Sequence, residues 1–235
     1  MDAGNATIEK LLEHVRDEYR SRMTRGDSAL LRQIEDYIAA RNGKMLRPRL
    51  LLTAAATLGE EHLHSRRTML LAVAIEMLHN ASLLHDDVVD ADMQRRGQPS
   101  VNARWGNAAA ILVGDHLLAQ VMSLLDEADD RDATRRINRT VTAMTEAELL
   151  AQETNRHPGT LTIEQYMAII DGKTACLFAT ACALGNPQYE DFGLHYGRLF
   201  QLRDDQADGE TTPYTAELIA REEATIKSLP SVLNI

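Results

Sequence analysis

The chain has 235 residues, enough for one large domain with a substantial core, and no long Pro/Gly/Ser linker divides it. Its formal charge of −10 argues against general binding to nucleic acid or anionic membranes, without excluding a local basic pocket. Two cysteines, Cys176 and Cys182, have no companion His/Cys pair; they are expected as reduced core thiols, neither a zinc site nor a disulfide framework.

Met1 to Lys10 is polar and mixed in charge, with no signal-peptide core, so a cytoplasmic protein is expected. Residues 7–22 carry Ile8, Leu11, Leu12, Val15 and Tyr19 at three- and four-residue spacing, which predicts an amphipathic helix. Asp27-Ser28 offers a cap for a second helix with Leu30, Leu31, Ile34, Tyr37 and Ile38 on its face, and Asn42-Gly43 stops it. Arg47-Pro48 restarts a helix with proline in its first turn, running to Leu58-Gly59. A central helix follows from about Ser65 to Asp90. Its apolar run from Met69 to Leu84 is interrupted by Glu76, His79 and Asn80, so it predicts a buried helix and not a membrane span.

Residues 93–106 are expected as a loop, and Ala108–Leu125 as an apolar helix with Gly114-Asp115 inside it. Ile137–Thr154 predicts another helix, ended by the loop Arg156-His157-Pro158-Gly159. Thr162 caps a helix, with Glu164 near its first turn, that runs toward Lys173. A small-residue helix, Ala175–Leu184, is closed by Gly185-Asn186-Pro187. Residues 189–208 and 214–229 complete the chain. No strand alternation or short repeat is evident. The expectation is an all-α fold of about nine or ten helices in a single domain, 1–235.

One cluster is costly. Asp86, Asp87 and Asp90 close the central helix at i, i+1 and i+4, and three acids on one turn repel each other. Alone, the triad reads as a solvated helix end. A second triad with the same spacing, Asp204, Asp205 and Asp208, again follows an apolar stretch and favours hard divalent cations as counter-ions. Cations gather nearby in sequence: Lys44 and Arg47 at a loop–helix junction, Arg95-Arg96 just after the first triad, and Lys173-Thr174. His79 lies seven residues before Asp86, about two turns up the same face. Metal-loading acids beside phosphate-binding cations suit a diphosphate.

These segments, in this order, resemble a trans-polyprenyl diphosphate synthase of the class I isoprenoid synthase family. Gly43-Lys44-Met45-Leu46-Arg47-Pro48, Leu83 to Asp90, Arg95-Arg96-Gly97-Gln98-Pro99, Gly114-Asp115, Lys173-Thr174-Ala175 and Phe200 to Asp208 carry the resemblance. It implies an isoprenoid-synthase helical bundle around a central cavity. It also implies head-to-tail condensation of isopentenyl diphosphate with an allylic diphosphate, Mg²⁺ as cofactor (three ions), and a homodimer without nucleic acid or a transmembrane segment. Metal ligands would be Asp86, Asp87, Asp90, Asp204, Asp205 and Asp208. Asp86, Asp87, Asp90, Arg95, Lys173 and Asp204 would carry catalysis. Lys44, Arg47, His79 and Arg96 would bind isopentenyl diphosphate; Arg95, Lys173, Thr174 and Gln201 would serve the allylic substrate. Ala81 and Ser82, small residues five and four before Asp86, would leave room for products of twenty carbons or more.

The sequence departs from the family after Asp208, where only 27 residues remain, so a bundle lacking some of the family's C-terminal helices and a basic residue after the second motif is expected. Arg198 and Arg203 are expected to restore some of the positive charge lost there. Two alternatives stay open: an inactive or regulatory synthase-like subunit that needs a partner, and a class I terpene cyclase. The second is disfavoured by the complete second triad.

Overall fold

The structure, a computed structural model, describes residues 3–23, 28–40, 43–156, 161–209, 212 and 214–231. Among them it is almost wholly helical, as the sequence pattern requires: α1 (Ala3–Met23), α2 (Ala29–Ala39), α3 (Leu46–Ala56), α4 (Glu60–Leu63), α5 (Arg66–Val89), α6 (Val101–Trp105), α7 (Asn107–Ala128), α8 (Arg131–Asn155), α9 (Ile163–Ile170), α10 (Cys176–Gly185), α11 (Glu190–Asp208) and α12 (Thr215–Ser228). The short helices α4 and α6 exceed the expected number. Chain contacts group into two compact units.

The first unit comprises residues 1–49 and 69–130. Leu12, Val15, Ile34, Leu71, Ile75 and Leu117 are essentially inaccessible to water there, which is the burial that the three- and four-residue spacing anticipates. Ser28 caps α2, its hydroxyl accepting from the Leu31 amide at 3.3 Å. The expected partners Asp27 and Asn42 lie outside the described residues.

The stretch expected as a loop, 93–106, is instead a hairpin followed by a helix. Strands β1 (Gln94–Arg95) and β2 (Gln98–Pro99) pair antiparallel, Gln94 with Pro99 and Arg95 with Gln98. The turn between them, Arg96-Gly97, has φ of 55° and 75°, the left-handed pair that a two-residue hairpin uses. Strands of two residues are too short to show alternation in sequence. Ser100 then caps α6, accepting from the Ala103 amide at 3.3 Å.

The second unit comprises residues 50–68 and 131–235. Thr162 and Gln165 form a reciprocal capping box at the start of α9. The helix does not stop before Lys173: α9 runs into a π turn, Asp171–Ala175, and continues as α10. Gly172 has the α8 residues Ala143 and Ala147 where a side chain would stand, so only glycine permits that approach. Gly193 of α11 packs in the same way against the backbone of Phe178 and Ala179 in α10. A second cluster, Ile170, Leu202 and Leu218, seats α12 against α9 and α11. Cys182 is buried, which pushes its thiol up to about 12, and Cys176 is half-buried; both are free thiols. The expected loop around His157-Pro158-Gly159 lies outside the described residues.

Three helical stretches, Arg66–Val89, Asn107–Ala128 and Ile163–Gly185, are long and apolar enough to cross a membrane by length and composition. The first and last bury 67% and 61% of their apolar windows inside the protein, as core helices do.

Candidate functional site

In the first unit α5 ends on its acidic turn. Ala91 adopts φ 55°, the Ala91 amide donates to the Val88 carbonyl and the Asp92 amide to the Asp87 carbonyl at 2.9 Å, the pattern of a left-handed helix stop. Side chains from the next segment lock this end. Asn102 Nδ2 donates to the carbonyls of Asp87 at 3.0 Å and Asp92 at 2.9 Å, and Ser100 Oγ donates to the Asp92 carbonyl at 2.7 Å. Tyr37 Oη donates to the Pro99 carbonyl at 2.7 Å, and the Arg104 guanidinium covers the rings of Tyr37 and Trp105. The hairpin is thereby tied to both α2 and α5.

That anchoring delivers Arg95 to the triad. Its Nε donates to Asp87 Oδ1 at 2.7 Å, Nη2 reaches the same oxygen, and Nη2 also lies 3.2 Å from Asp92 Oδ2. Asp87 is buried, and burial raises its carboxyl above the usual range against the pull of Arg95. Asp86 is half-buried and Asp90 exposed. A cavity of about 50 Å³ opens beside them, with Asp87, Arg95, Arg96, Asn80 and Ser100 as its polar lining and Leu83, Leu84, Val101 and Ile38 as its apolar lining.

Two of the basic residues expected on this side, Arg47 and Arg96, act on a buried acid. Glu76, 3% exposed, has its carboxyl raised by burial, opposed by Arg47, Arg96 and Arg16. His79, one turn on, is pushed well below its ordinary range by burial and by Arg47, Arg96 and Arg95, so it is neutral. The Arg96 guanidinium rests on Gly43, where a Cβ would lie 2.6 Å from Nη2. Lys44, next along, is exposed. Beneath them a cavity of about 10 Å³ is lined by Tyr19, Glu76, Asn80 and Arg16; the Tyr19 hydroxyl is buried without a hydrogen-bond partner, and one water would fit it. Ala81 is fully buried on α5, and Ser82 turns its hydroxyl back to the His79 carbonyl at 2.9 Å. Gly114-Asp115 meets the same helix: His85 Nε2 lies 3.4 Å from Asp115 Oδ1.

In the second unit the π turn and α11 share a chain of hydrogen bonds. Thr174 Oγ1 donates to Gln201 Oε1 at 2.7 Å, Gln201 Nε2 donates to Asp205 Oδ1 at 2.6 Å, and Tyr166 Oη donates to Asp205 Oδ2 at 2.5 Å. Lys173 Nζ lies 2.6 Å from Glu148 Oε2 of α8. Asp204 and Asp208 are exposed. A cavity of about 190 Å³ runs along one face of α11 past Tyr196, Leu199, Phe200, Arg203 and Asp204. Arg198 and Arg203, expected as supplementary positive charge, are engaged elsewhere: Arg198 with Asp171 and Arg203 with Glu223 at 2.7 Å.

Sequence reasoning missed Glu76, Tyr166 and Glu148. Glu76 carried a signal, an acid inside an apolar run; Tyr166 and Glu148 carried none, since both sit on ordinary amphipathic faces. Among the described residues no three His, Cys, Asp or Glu side chains gather closely enough to hold a metal ion alone. The donor set nonetheless fits Mg²⁺, which takes hard oxygens, binds through one or two carboxylates and completes its shell with water and phosphate.

A family profile described as polyprenyl synthetase matches residues 28–222. The chain is 38% identical over 190 residues to an all-trans-nonaprenyl-diphosphate synthase (geranyl-diphosphate specific) of Rhodobacter capsulatus, covering 77% of this chain and 57% of that protein. It is 35% identical over 198 residues to an octaprenyl diphosphate synthase of Escherichia coli, covering 78% of this chain and 60% of the relative. The crystal structure of a polyprenyl synthase from Caulobacter crescentus, complexed with calcium and isoprenyl diphosphate, superposes with a TM-score of 0.81 at 33% identity, over 88% of this chain and 65% of that one. The chain thus spans less than two-thirds of the length of these relatives.

Proposed function

The chain belongs to the polyprenyl synthetase family, and from that premise we propose that it is a cytoplasmic trans-prenyltransferase, condensing isopentenyl diphosphate head-to-tail with an allylic diphosphate. The observation that carries the reading is the pairing at the end of α5. A buried Asp87 bonded to Arg95 stands beside exposed acids, and Arg47, Arg96 and neutral His79 cluster one to two turns away.

Asp86, Asp87 and Asp90, with Asp204, Asp205 and Asp208, would hold Mg²⁺; when bound, the metal withdraws charge from the diphosphate leaving group. Arg95 binds the allylic diphosphate and, released from Asp87, carries its positive charge to the departing oxygens. Lys44, Arg47 and Arg96 bind the diphosphate of isopentenyl diphosphate. His79, being neutral, donates one ring N–H without adding charge. Lys173 and Thr174 steady the leaving group and Gln201 the carboxylates. The allylic C–O bond breaks with its electron pair leaving on diphosphate. The double bond of isopentenyl diphosphate supplies the pair for the new C–C bond, and one proton leaves to the released diphosphate. No protein nucleophile is required, which accords with the absence of a Ser/His/Asp or Cys/His signature.

The small Ala81 and Ser82 support products of twenty carbons or more, with Met77 and Leu78 a turn deeper as the later floor. A homodimer is supported by Leu112 and Met122 of α7, which are 67% and 68% exposed. A second reading, an inactive or regulatory synthase-like subunit that needs a partner, is separated from the first by one assay. Purified protein given Mg²⁺, labelled isopentenyl diphosphate and farnesyl diphosphate should yield elongated products, and Asp86→Ala should abolish them while leaving the fold intact. A folded protein that turns over none of several allylic primers would establish the second reading instead.

A further inference from the structure

The least explained group in the second unit is Arg198. It lies on α11, is not among the metal-binding or substrate-binding residues proposed above, and bonds to Asp171, the first residue of the π turn, in place of supplying the spare charge expected of it. Nε donates to Oδ1 at 2.5 Å and Nη2 to Oδ2 at 2.7 Å, a planar fork on one carboxylate. We infer that Arg198 and Asp171 form a positioning pair that fixes the register between the π turn and α11, and through it the placement of Lys173, Thr174 and Asp205. What those three groups do rests on the prenyltransferase reading; that they are positioned this way does not.

The geometry forms two rungs. Asp171 bonds to Arg198; three residues on along each segment, Thr174 bonds to Gln201 at 2.7 Å. From Gln201 the chain passes one further turn to Asp205 Oδ1 at 2.6 Å, while Tyr166 holds the other oxygen of that carboxylate. Both oxygens of Asp205 are therefore oriented by groups whose reach depends on the register of these rungs. A single rung leaves the segments free to pivot; two rungs three residues apart do not.

The π turn makes the register matter. It inserts one extra residue into the helical ladder, a less favourable arrangement than plain α-helix, and such turns recur at functional sites. Reversion to α-helix would rotate the residues beyond it by about 100° relative to those before it. Lys173 would then swing away from Glu148, or Thr174 from Gln201. Some contact must hold the turn, and Asp171 is its first residue. Gly172 backs it against Ala143 and Ala147 of α8 on the other side. Arg198 also feels Glu222 of α12 as a second anion, and Glu222, 1% exposed, is itself bonded to His195 of α11. Among the described residues the guanidinium is thus bonded to Asp171 alone and sits in the field of a second, buried anion.

The test uses the full chain and two variants, Arg198→Met, which keeps an apolar stem, and Asp171→Asn, which keeps the shape of the carboxylate. Hydrogen exchange at the amides of residues 171–176 is read first, without ligand. Both variants are expected to exchange there about tenfold faster than the parent, with α1 and α7 unchanged. Calorimetric titration follows, with Mg²⁺ and a non-ionisable allylic diphosphate analogue, then with isopentenyl diphosphate. The expected result is a roughly tenfold weaker Kd for the analogue, no more than about a twofold change for isopentenyl diphosphate, and a double variant no worse than the weaker single one. Unchanged exchange in folded variants overturns the pair as a positioning device, and so does equal weakening of both ligands. A lowered melting temperature with both Kd values intact overturns it too, since a mere strut would behave that way. If the parent protein binds no allylic analogue, the prenyltransferase reading fails, and the positioning pair still stands or falls on the exchange data.

Discussion

Arg95→Met and Asp87→Asn cut the same ion pair from opposite sides, and they should cost unequal amounts. Asp87 is 3% exposed, whereas the Arg95 side chain is 34% exposed and has a second acceptor, Asp92 Oδ2, at 3.2 Å. Removing Arg95 strands a buried carboxylate, and the amide of Asn102 is already committed to the Asp87 and Asp92 carbonyls. Breaking a buried pair in this way costs ~3–5 kcal/mol, and the water that reaches Arg95 brings the expected value here to ~2–3 kcal/mol. Removing the charge of Asp87 leaves Arg95 with Asp92 and solvent, so its cost should be ~0.5–1 kcal/mol. Urea unfolding in EDTA, which strips divalent ions, measures both at pH 8 as midpoint shifts at constant slope. Burial already raises the Asp87 carboxyl, and loss of Arg95 raises it further. A carboxyl whose folded-state pKa is raised weakens the native state above that pKa and restores it as pH falls through it. The deficit of Arg95→Met should therefore shrink between pH 8 and pH 5. Equal costs, or a larger one for Asp87→Asn, would show that the carboxylate is solvated and refute the reasoning.

Glu35 offers a second titration, away from the acidic motifs. It is fully buried on α2, 3.4 Å from His116 Nε2, and burial followed by Asp36 raises its carboxyl to about 7, against the pull of Arg32. Its ionisation therefore opposes folding above pH 7, and that penalty lifts as pH falls; Glu35→Gln should stabilise the protein by ~1–3 kcal/mol at pH 8 and by much less at pH 5.5, compared by urea midpoints. A difference that does not vary with pH would rule this out. Ala81→Phe tests product length. Ala81 is fully buried, so the ring must project into free space beside α5 or strain the core by ~1–3 kcal/mol. Products shorter by about one isoprene unit are expected by chromatography, since one helical turn rises ~5.4 Å; an unchanged product profile from a folded variant sinks the floor reading.

The amphipathic helix α1 was legible because burial imposes a three- and four-residue period, whereas α5 was legible from its long apolar run, which is buried on every side from Leu70 to Leu78. The hairpin at Gln94–Pro99 was not legible: its strands are two residues long, and its turn places a non-glycine residue, Arg96, at positive φ. The π turn was hidden for a different reason. A one-residue insertion is set by tertiary ties such as Asp171 to Arg198, and no local periodicity carries it. Of the candidate site, the acids were plain because clustering like charges is expensive. The groups that answer those charges were not. Tyr166 lies 39 residues from Asp205 in sequence, and Glu148 is 25 positions from Lys173, distances at which spacing says nothing.

That hidden layer bears on how the charged groups of each unit would take a ligand. Asp87 is paired with Arg95, Asp205 with Gln201 and Tyr166, and Lys173 with Glu148. On the prenyltransferase reading, a diphosphate or metal ion that reaches the groups of either unit must therefore exchange partners there instead of meeting bare charges. Arg95 gives up a carboxylate and gains a phosphate, so the net gain in energy is smaller than a count of new contacts suggests. The gain in geometry is larger, because each group is already held in place by a partner from another segment. Arg198 and Arg203 are committed to Asp171 and Glu223, and Lys173, the cation of the motif itself, to Glu148. The orientation of Lys173 is set by the π turn, and the π turn is tied to α11 through Arg198. An arginine that touches no substrate can thus decide whether the one lysine of this motif points where the leaving group would need it.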